Sequence, residues 1–166
     1  MGLGDLVYRL YERRLEAALS PQAVPRHVGV MCDGNRRWAK SAGLADVSSG
    51  HQAGADKIFE LLAWCQETGV EVVTLWLLST DNLARSATEL EPLLRIIEDT
   101  VQELVAQGWH VKPVGALDLL PADTAQVLKG AAEATAGHDG LRVNVAVGYG
   151  GRREIADAVR DRKSVV

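Results

Sequence analysis

The chain has 166 residues, and 18 Lys and Arg against 22 Asp and Glu give it a formal net charge of −4. This length provides for one domain with a hydrophobic core, and the acidic balance argues against a nucleic-acid-binding protein, which carries a basic field. Apolar residues make up 47% of the chain, but no apolar run approaches the roughly 20 residues that a membrane-spanning helix needs, and no signal peptide is visible.

Helices and strands are predicted to alternate along the sequence. Apolar spacing and the positions of glycine and proline define them. In chain order they are a helix over Asp5–Leu19, a strand over His27–Cys32, a helix over His51–Thr68, a strand over Val70–Leu78, a helix over Thr88–Gln107, a strand over Trp109–Val114, a helix from Pro121 to Thr135, a strand over Leu141–Val147 and a helix starting at Arg152. Thr88 and Glu91 have the spacing of a capping box, and Pro121 suits the first position of a helix.

Long helical connections between successive strands favour parallel pairing with right-handed crossovers. We therefore expect an α/β fold with a mostly parallel central sheet flanked by helices. Cys32 and Cys65 lie among apolar neighbours, which indicates buried free thiols in a reducing cytoplasm. Ligands of open parallel sheets bind beyond the carboxyl ends of the strands. This rule selects three segments, Asp33–Trp38, Ser79–Arg85 and Gly148–Arg153.

The first segment places a carboxylate, Asp33, beside two guanidinium groups, Arg36 and Arg37. Gly34 permits close backbone approach to a ligand, and the start of a following helix together with the arginines suits a phosphate. A carboxylate alone would repel a diphosphate, whereas Mg²⁺ takes one or two carboxylates together with substrate phosphates. A capping Asp33 paired with a neighbouring arginine explains the same residues, so both interpretations stay open here.

The other two segments have structural explanations as well as functional ones. Four small polar residues at 79–82 could cap the next helix, whereas Arg85 lies at the expected ligand-facing edge. His51 opens a predicted helix, where a phosphate donor is the less common role. The turn "GYGGRREI" is a phosphate loop or a tight packing turn; it has no Gly-Lys-Ser/Thr, and Arg153 replaces the third glycine of a dinucleotide motif.

Taken together, these segments resemble the cis-prenyltransferase family of the undecaprenyl diphosphate synthase type. The stretches "HVGVMCDGNRRWAK", "GHQAGADK", "LSTDNLAR" and "VNVAVGYGGRREIADA" follow in the family's order, from about Arg26 to Val159. The wording of "DGNRRWAK" and "TLWLLSTDN" is most similar to short-chain actinobacterial members. The resemblance implies Mg²⁺-dependent condensation of isopentenyl diphosphate with an allylic diphosphate to form a new Z double bond. It also implies a homodimer at full length, and it leaves open a peripheral membrane contact through a long-chain product.

By this resemblance, Asp33 binds Mg²⁺ and helps the allylic diphosphate to leave, and Asn82 stands at the position assigned as proton acceptor. An amide is a poor base, so we expect Asn82 to orient the proton transfer, with diphosphate as the acceptor. The implied substrate-binding residues are Gly34, Asn35, Arg36, Arg37, Trp38, His51, Ser79, Thr80, Asp81, Leu83 and Arg85. The apolar faces of the helices at 51–68 and 88–107 would form the walls of a tunnel for the growing chain.

The sequence departs from the family pattern in several places. Val47 stands where many members have arginine, Leu83 replaces a frequent tryptophan, Ser86 a proline and Gly148 an asparagine. The family also continues past Val166 with residues for isopentenyl diphosphate and a glutamate that is the second metal ligand. We therefore expect residues 1–160 to be the N-terminal portion of one cis-prenyltransferase domain. We expect residues 161–166, "DRKSVV", to be a non-native tail, since a common sequencing adaptor encodes that string.

Three other functions compete with a prenyl-transferring enzyme. A non-catalytic partner subunit of the same fold tends to lose the metal-binding aspartate and the arginines, but Asp33, Arg37 and Arg85 are present. An aspartate-nucleophile phosphatase needs a second aspartate at position 31, where Met31 stands. A phosphate-binding module without a reaction stays open for the chain.

Overall fold

A computed structural model describes residues 2–20, 23–44 and 46–163. The helices are α1 (Leu3–Ala18), α2 (Asn35–Ser41), α3 (Val47–Glu67), α4 (Ala87–Ala106), α5 (Ala122–Ala134) and α6 (Gly151–Lys163). The strands are β1 (His27–Met31), β2 (Val72–Ser79), β3 (His110–Val114) and β4 (Arg142–Tyr149), and short 3-10 helices cover Asp81–Ala84 and Leu117–Leu119. Each predicted helix and strand is therefore present, and α2 adds a short helix directly after the first candidate segment.

The four strands form one parallel sheet in the order β1-β2-β4-β3. Thr74 at the centre of β2 pairs with Gly29 of β1 on one side and Asn144 of β4 on the other. This arrangement confirms the predicted α/β fold with a mostly parallel sheet. Because β1 and β2 are neighbours and parallel, their carboxyl ends bring Asp33 and Ser79 to the same edge of the sheet.

The sheet and the helices share one hydrophobic core. Val73 and Leu75 of β2 and Val143 and Val145 of β4 are fully buried, and side chains of α3, α4 and α5 pack in the same cluster. Fully burying one such side chain contributes about 1.5–3 kcal/mol. From Val72 to Trp76, alternate positions of β2 are less buried, as the period of a strand requires, whereas β4 is buried on both faces from Val145 to Gly148. The core thus holds β2 and β4 at the centre, which fixes where the candidate segments begin.

The start of α3 differs from the prediction. The helix begins at Val47, because the Asp46 carboxylate caps it by accepting a hydrogen bond from the Ser48 N–H at 2.9 Å. His51 therefore lies one turn inside α3, and the expectation that it opens a helix is wrong. Any contact of His51 with an anion must come from its imidazole and not from free N–H groups at a helix start.

Two further helix starts also differ in detail. Ser86 is the N-cap of α4, with its Oγ 3.0 Å from Thr88 Oγ1, and no side chain caps the helix. The predicted capping box does not form, because α4 begins one residue before Thr88 and Glu91 falls beyond the first turn. Pro121 is the N-cap of α5, with ψ of 145°, and does not occupy the first helical position.

The end of the chain bears on the predicted tail. Helix α6 continues through Lys163, whereas residues 164–166 lie outside the described part of the chain. The division at residue 160 and the non-native tail stay predictions. Cys65 is a buried free thiol, as predicted, whereas Cys32 is a free thiol that is only half-buried. No helix within the described residues is long and apolar enough to cross a bilayer.

Candidate active site

A cavity of about 860 Å³ opens at the carboxyl ends of β1 and β2, between α2, α3 and α4. It is where the open-sheet rule places a ligand, and its volume is in the range of small-molecule sites. The predicted site residues that line it are Asp33, Gly34, Asn35, Arg36, Arg37, His51, Ser79, Asn82 and Arg85. Segments more than 40 residues apart in sequence therefore meet at one site.

Four predicted residues do not line this cavity. Trp38 lies on α2 with 51% of its surface exposed. Thr80 donates its N–H to the Tyr149 carbonyl at 3.1 Å, and Leu83 packs against the hydrophobic core. Asp81 is exposed at the start of the 3-10 helix. Asn82 therefore lines the cavity, while Thr80 and Leu83 hold the short turn against the sheet and the core.

Five charged or amide residues line the outer part of the cavity, and we call them the mouth: Asp33, Arg36, Arg37, Asn82 and Arg85. Asp33 Oδ1 accepts a hydrogen bond from the Gly34 N–H at 2.6 Å, and Asp33 Oδ2 lies 3.9 Å from an Arg37 nitrogen. Both side chains are more than three-quarters exposed, so this ion pair adds little stability. Gly34 is the N-cap of α2, with φ of +92°, so Asp33 is not the cap. Its carboxylate remains available to a ligand.

Two glycines on α3 position Asn35 at the cavity wall. A Cβ at Gly50 would meet the Asn35 carbonyl and lie 2.8 Å from the Ala39 Cβ. A Cβ at Gly54 would lie 2.7 Å from the Asn35 side-chain amide. A Cβ at Gly50 would collide with the backbone of α2, so Gly50 is required for the close approach of α2 and α3, whereas Gly54 leaves room for the Asn35 side chain. The stretch "GHQAG" thus acts by bringing two helices together, besides supplying His51.

The pKa of His51 is affected by charges of the mouth and by a carboxylate of α4. Burial lowers the pKa of His51 below its usual value, and the positive charges of Arg85 and Arg36 lower it further. Glu89 acts in the opposite direction and also lines the cavity. A neutral imidazole in this position is a hydrogen-bond donor that gains a proton more readily once an anion offsets the arginine charges.

The inner part of the cavity is apolar. We call Ile58, Leu93, Ile97 and Thr100 the deep wall; all four line the cavity and are buried. The Thr100 hydroxyl donates to the Ile96 carbonyl at 2.6 Å, so it presents no free donor to the cavity. Helices α3 and α4 supply these residues, and they are the two helices that the family resemblance implies as tunnel walls.

The glycine-rich turn after β4 does not line the cavity. Gly148 has φ of +63°, and a Cβ there would lie 3.1 Å from the Ala116 carbonyl. A Cβ at Gly150 would lie 2.7 Å from Thr80 Oγ1. Of the two interpretations left open by the sequence, the structure favours tight packing of the turn, which braces the segment that carries Asn82.

The family of the chain is shown by its similarity to known proteins. The family model for undecaprenyl diphosphate synthases matches residues 31–165, which is most of the chain. The chain belongs to this family. The match includes the mouth, the deep wall and the braced turn after β4.

Several curated relatives are closely similar in sequence. A (2Z,6E)-farnesyl diphosphate synthase of Thermobifida fusca is 69% identical over 154 residues, covering 93% of this chain and 61% of that protein. Isoprenyl transferase 1 of Streptomyces avermitilis is 59% identical, and a (2Z,6E)-farnesyl diphosphate synthase of Mycobacterium tuberculosis is 53% identical; each alignment covers 95% of this chain and 62% of the relative. The chain thus spans about three-fifths of the length of these relatives.

Solved structures of the family agree with the fold. Lavandulyl diphosphate synthase of Lavandula x intermedia, in complex with dimethylallyl diphosphate, matches with a TM-score of 0.79 at 33% identity, over 85% of this chain and 62% of that one. A probable undecaprenyl diphosphate synthase of Campylobacter jejuni matches with a TM-score of 0.65 over 82% of this chain and 60% of that one. At 24% identity the second match shows the fold alone.

The structure adds polar residues to the family site that the sequence prediction missed. Lys40 and Glu89 line the cavity, and each lies four residues after a predicted arginine, Arg36 and Arg85 respectively. Arg36 and Lys40 both lie on α2 and share a helix face, so this spacing could have found Lys40. Arg85 is extended and precedes α4, so helical spacing gives no such signal for Glu89. Cys32 also lines the cavity, and burial raises the pKa of its thiol to about 11, which keeps it protonated.

The donor set at the mouth fits a divalent cation only in part. No three His, Cys, Asp or Glu side chains come together as a metal site within residues 2–20, 23–44 and 46–163. Asp33 and Glu89 are the carboxylates on the cavity wall. Because Mg²⁺ binds through one or two carboxylates plus substrate phosphates, Asp33 suits a cation that arrives with a diphosphate.

Proposed function

We propose that this chain carries the allylic-substrate part of a cis-prenyltransferase. The observation that carries the proposal is one cavity with a cationic mouth and an apolar deep wall. A prenyl diphosphate has the matching chemistry, an anionic head and an apolar tail. In the proposed reaction the allylic C–O bond breaks, the diphosphate leaves with the electron pair, and a carbon–carbon bond to isopentenyl diphosphate forms as a proton is lost.

The mouth binds the diphosphate and favours its departure. Arg36 and Arg37 supply charge-assisted hydrogen bonds to its oxygens, and His51 gains a proton as the anion offsets the arginine charges. Bound Mg²⁺, with Asp33 as its protein ligand, would supply charge neutralisation of the leaving group. The deep wall excludes water from the prenyl tail and keeps it extended between α3 and α4. These residues therefore contribute to the reaction by positioning the substrate and by keeping water out of the cavity.

The relatives narrow the proposed product. Two of the similar proteins are named (2Z,6E)-farnesyl diphosphate synthases, so we propose a short Z-prenyl diphosphate. A cytoplasmic location belongs to the same proposal, with the two free thiols in its support. A non-catalytic partner subunit is not favoured, because Asp33, Arg37 and Arg85 meet at the cavity.

A homodimer is the proposed assembly of the whole enzyme. Exposed apolar side chains lie on α1, including Leu6, Tyr8 and Leu10, and on α6, at Ile155 and Val159. Apolar surface of this kind is typical of an interface with protein or membrane. Peripheral contact with a membrane through a long-chain product stays a prediction.

The test is binding and chain extension by the purified chain, with the Thermobifida fusca relative as the active reference. We expect dimethylallyl diphosphate to bind more tightly with Mg²⁺ than without it in isothermal titration calorimetry. Asp33→Ala should remove this Mg²⁺ dependence, whereas Asp99→Ala, which removes an exposed carboxylate of α4 away from the cavity, should keep it.

Labelled isopentenyl diphosphate with dimethylallyl, geranyl or farnesyl diphosphate then tests the reaction. Extension that requires Mg²⁺ supports the enzyme. Tight binding by the chain with no extension, while the reference extends geranyl diphosphate, would make the chain a phosphate-binding module. Equal binding of dimethylallyl diphosphate by the unaltered chain and Asp33→Ala, with and without Mg²⁺, would contradict the role of Asp33.

A further inference from the structure

The side-chain amide of Asn82 has an orientation that one neighbour determines. An Arg85 Nη nitrogen lies 2.9 Å from Asn82 Oδ1, and both residues line the cavity. A guanidinium group has five N–H donors and no acceptor. The oxygen of the amide must therefore face Arg85, and the amide nitrogen, Nδ2, must face away from it.

This hydrogen bond changes what Asn82 can do. Its oxygen accepts a bond from a charged donor, which withdraws electron density and makes the amide oxygen a still weaker proton acceptor. The same polarisation makes the two N–H groups on Nδ2 better donors. Among the described residues, no group accepts a hydrogen bond from Nδ2. Asn82 therefore offers donors, and not a base, to a ligand in the cavity.

The backbone around Asn82 holds this orientation. The Ser79 hydroxyl accepts a hydrogen bond from the Asn82 N–H at 3.2 Å. The Asn82 carbonyl accepts from the Arg85 N–H at 3.2 Å, which closes the short turn between the two side chains. The Thr80 N–H donates to the Tyr149 carbonyl at 3.1 Å, which ties the turn to β4. Asn82 and Arg85 are thus presented together on a fixed turn.

We propose that Asn82 donates hydrogen bonds from Nδ2 to a diphosphate oxygen and that Arg85 is the positioning residue that aims it. The identity of the ligand as a prenyl diphosphate rests on the proposed function, but the anion-binding role does not require the reaction. In the condensation, the proton lost from isopentenyl diphosphate then passes to a diphosphate oxygen and not to Asn82. This assignment differs from the proton-acceptor role that the family resemblance implies.

The test uses inorganic pyrophosphate and the whole chain labelled with ¹⁵N. The Asn82 Nδ2 signals are assigned by their absence in Asn82→Ala. We expect these signals to shift on titration with pyrophosphate in the unaltered chain, a result that requires no variant to bind. Asn82→Ala should weaken pyrophosphate binding about tenfold, the usual effect of losing a hydrogen bond to a charged group. Asn82→Asp should weaken it further, because a carboxylate repels the anion.

A double-mutant cycle tests the positioning role of Arg85. If Arg85 aims Asn82, then Asn82→Ala should cost much less affinity in an Arg85→Met background than in the unaltered chain. Arg85→Lys, which keeps a charged donor, should restore part of the coupling. Equal effects of Asn82→Ala in both backgrounds would show that Arg85 acts independently and would overturn the positioning role.

Other results separate this inference from the proposed function. Unshifted Nδ2 signals, or Asn82→Asp binding pyrophosphate as tightly as the unaltered chain, would overturn the donor role. If Arg37→Met still weakens binding in that case, the anion site and the proposed function stand without Asn82. A chain that does not bind pyrophosphate at all would overturn both.

Discussion

The mouth and the deep wall of the cavity are built from opposite kinds of structure. The mouth consists of charged or amide side chains on short segments after strands, and the Asp33 and Arg37 side chains are 77% and 85% exposed. The deep wall consists of helical residues such as Ile97, which is 2% exposed and belongs to the core. The mouth is therefore placed by the fold but contributes little to stability, whereas the deep wall belongs to what stabilises the fold.

This difference separates binding from folding within one cavity. Charges that stay solvated can change without unfolding the chain, so the mouth can be fitted to an anion. Residues of the deep wall serve two needs at once, since they contact the prenyl tail and support α4 against the sheet. Substitutions in the mouth should consequently change ligand affinity, whereas substitutions in the deep wall should change the free energy of unfolding.

The largest expected effect is a loss of stability on truncating a residue of the deep wall. Ile97→Ala removes buried methyl groups, and such truncations cost about 2–5 kcal/mol. We expect urea unfolding to show a lowered midpoint with an unchanged slope. Arg37→Ala is the matched change at the mouth and should leave the midpoint where it is. A comparable loss of stability in Arg37→Ala would show that the two regions are not separate.

A substitution at the contact between α2 and α3 should have the next largest effect on stability. Gly50→Ala would press a methyl group against Asn35 and Ala39, and overpacking costs about 1–3 kcal/mol. Gly130→Ala is the control, because a Cβ there has nothing within 4 Å and alanine favours a helix interior. Thermal unfolding should show Gly50→Ala less stable and Gly130→Ala slightly more stable than the unaltered chain. A Gly50→Ala protein of unchanged stability would contradict the close approach.

A change at the mouth should alter binding without altering folding. Arg37→Met keeps much of the side-chain length but removes the charge, so pyrophosphate affinity should fall about tenfold. Arg95→Met, which changes an exposed arginine of α4 away from the cavity, should bind like the unaltered chain. Calorimetry checks both, and higher salt should narrow the difference, because screening weakens exposed charges. Equal losses in the two variants would point to a general charge effect.

The smallest expected effect is a dependence of stability on pH at His51. Its pKa is lowered in the folded chain, first by burial and then by Arg85 and Arg36, so the unfolded chain binds the proton more readily. The stability contributed by neutral His51 is present above the unfolded pKa of about 6.5 and is lost as pH falls through the lower folded pKa. Denaturation midpoints should therefore fall less steeply below neutral pH in His51→Gln. Parallel pH profiles for the two proteins would contradict this prediction.

The sequence predicted the fold more completely than the site. Parallel strands follow from near-continuous apolar runs joined by long helical stretches, and the edge of the sheet where ligands bind follows from a rule of topology. The carboxylate and arginines after β1 therefore needed no structure to be selected. Asn82 and Arg85 were selected in the same way, but their direct hydrogen bond depends on side-chain geometry that spacing does not specify.

Helix starts and close contacts were the harder part. The start of α3 depends on whether Asp46 or a later residue caps it, and several residues there could serve. The roles of Gly50 and Gly54 depend on a second helix, α2, whose packing angle no local pattern gives. The family resemblance also implied four substrate-binding residues that do not line the cavity: Trp38, Thr80, Asp81 and Leu83. Neighbouring residues in a short turn face different surroundings, and the sequence does not show which of them face the cavity.

The strand order has a consequence for how the chain is synthesised. During translation β3 emerges before β4, the strand that it pairs with among the described residues, and one edge of β2 stays unpaired until β4 inserts between β2 and β3. Until Tyr149 has left the ribosome, nascent chains therefore leave unpaired the backbone N–H and C=O groups on the two strand edges that β4 later covers. Unpaired edges of this kind are sites of aggregation, so a chaperone that covers them would act on the interval before β4 is complete.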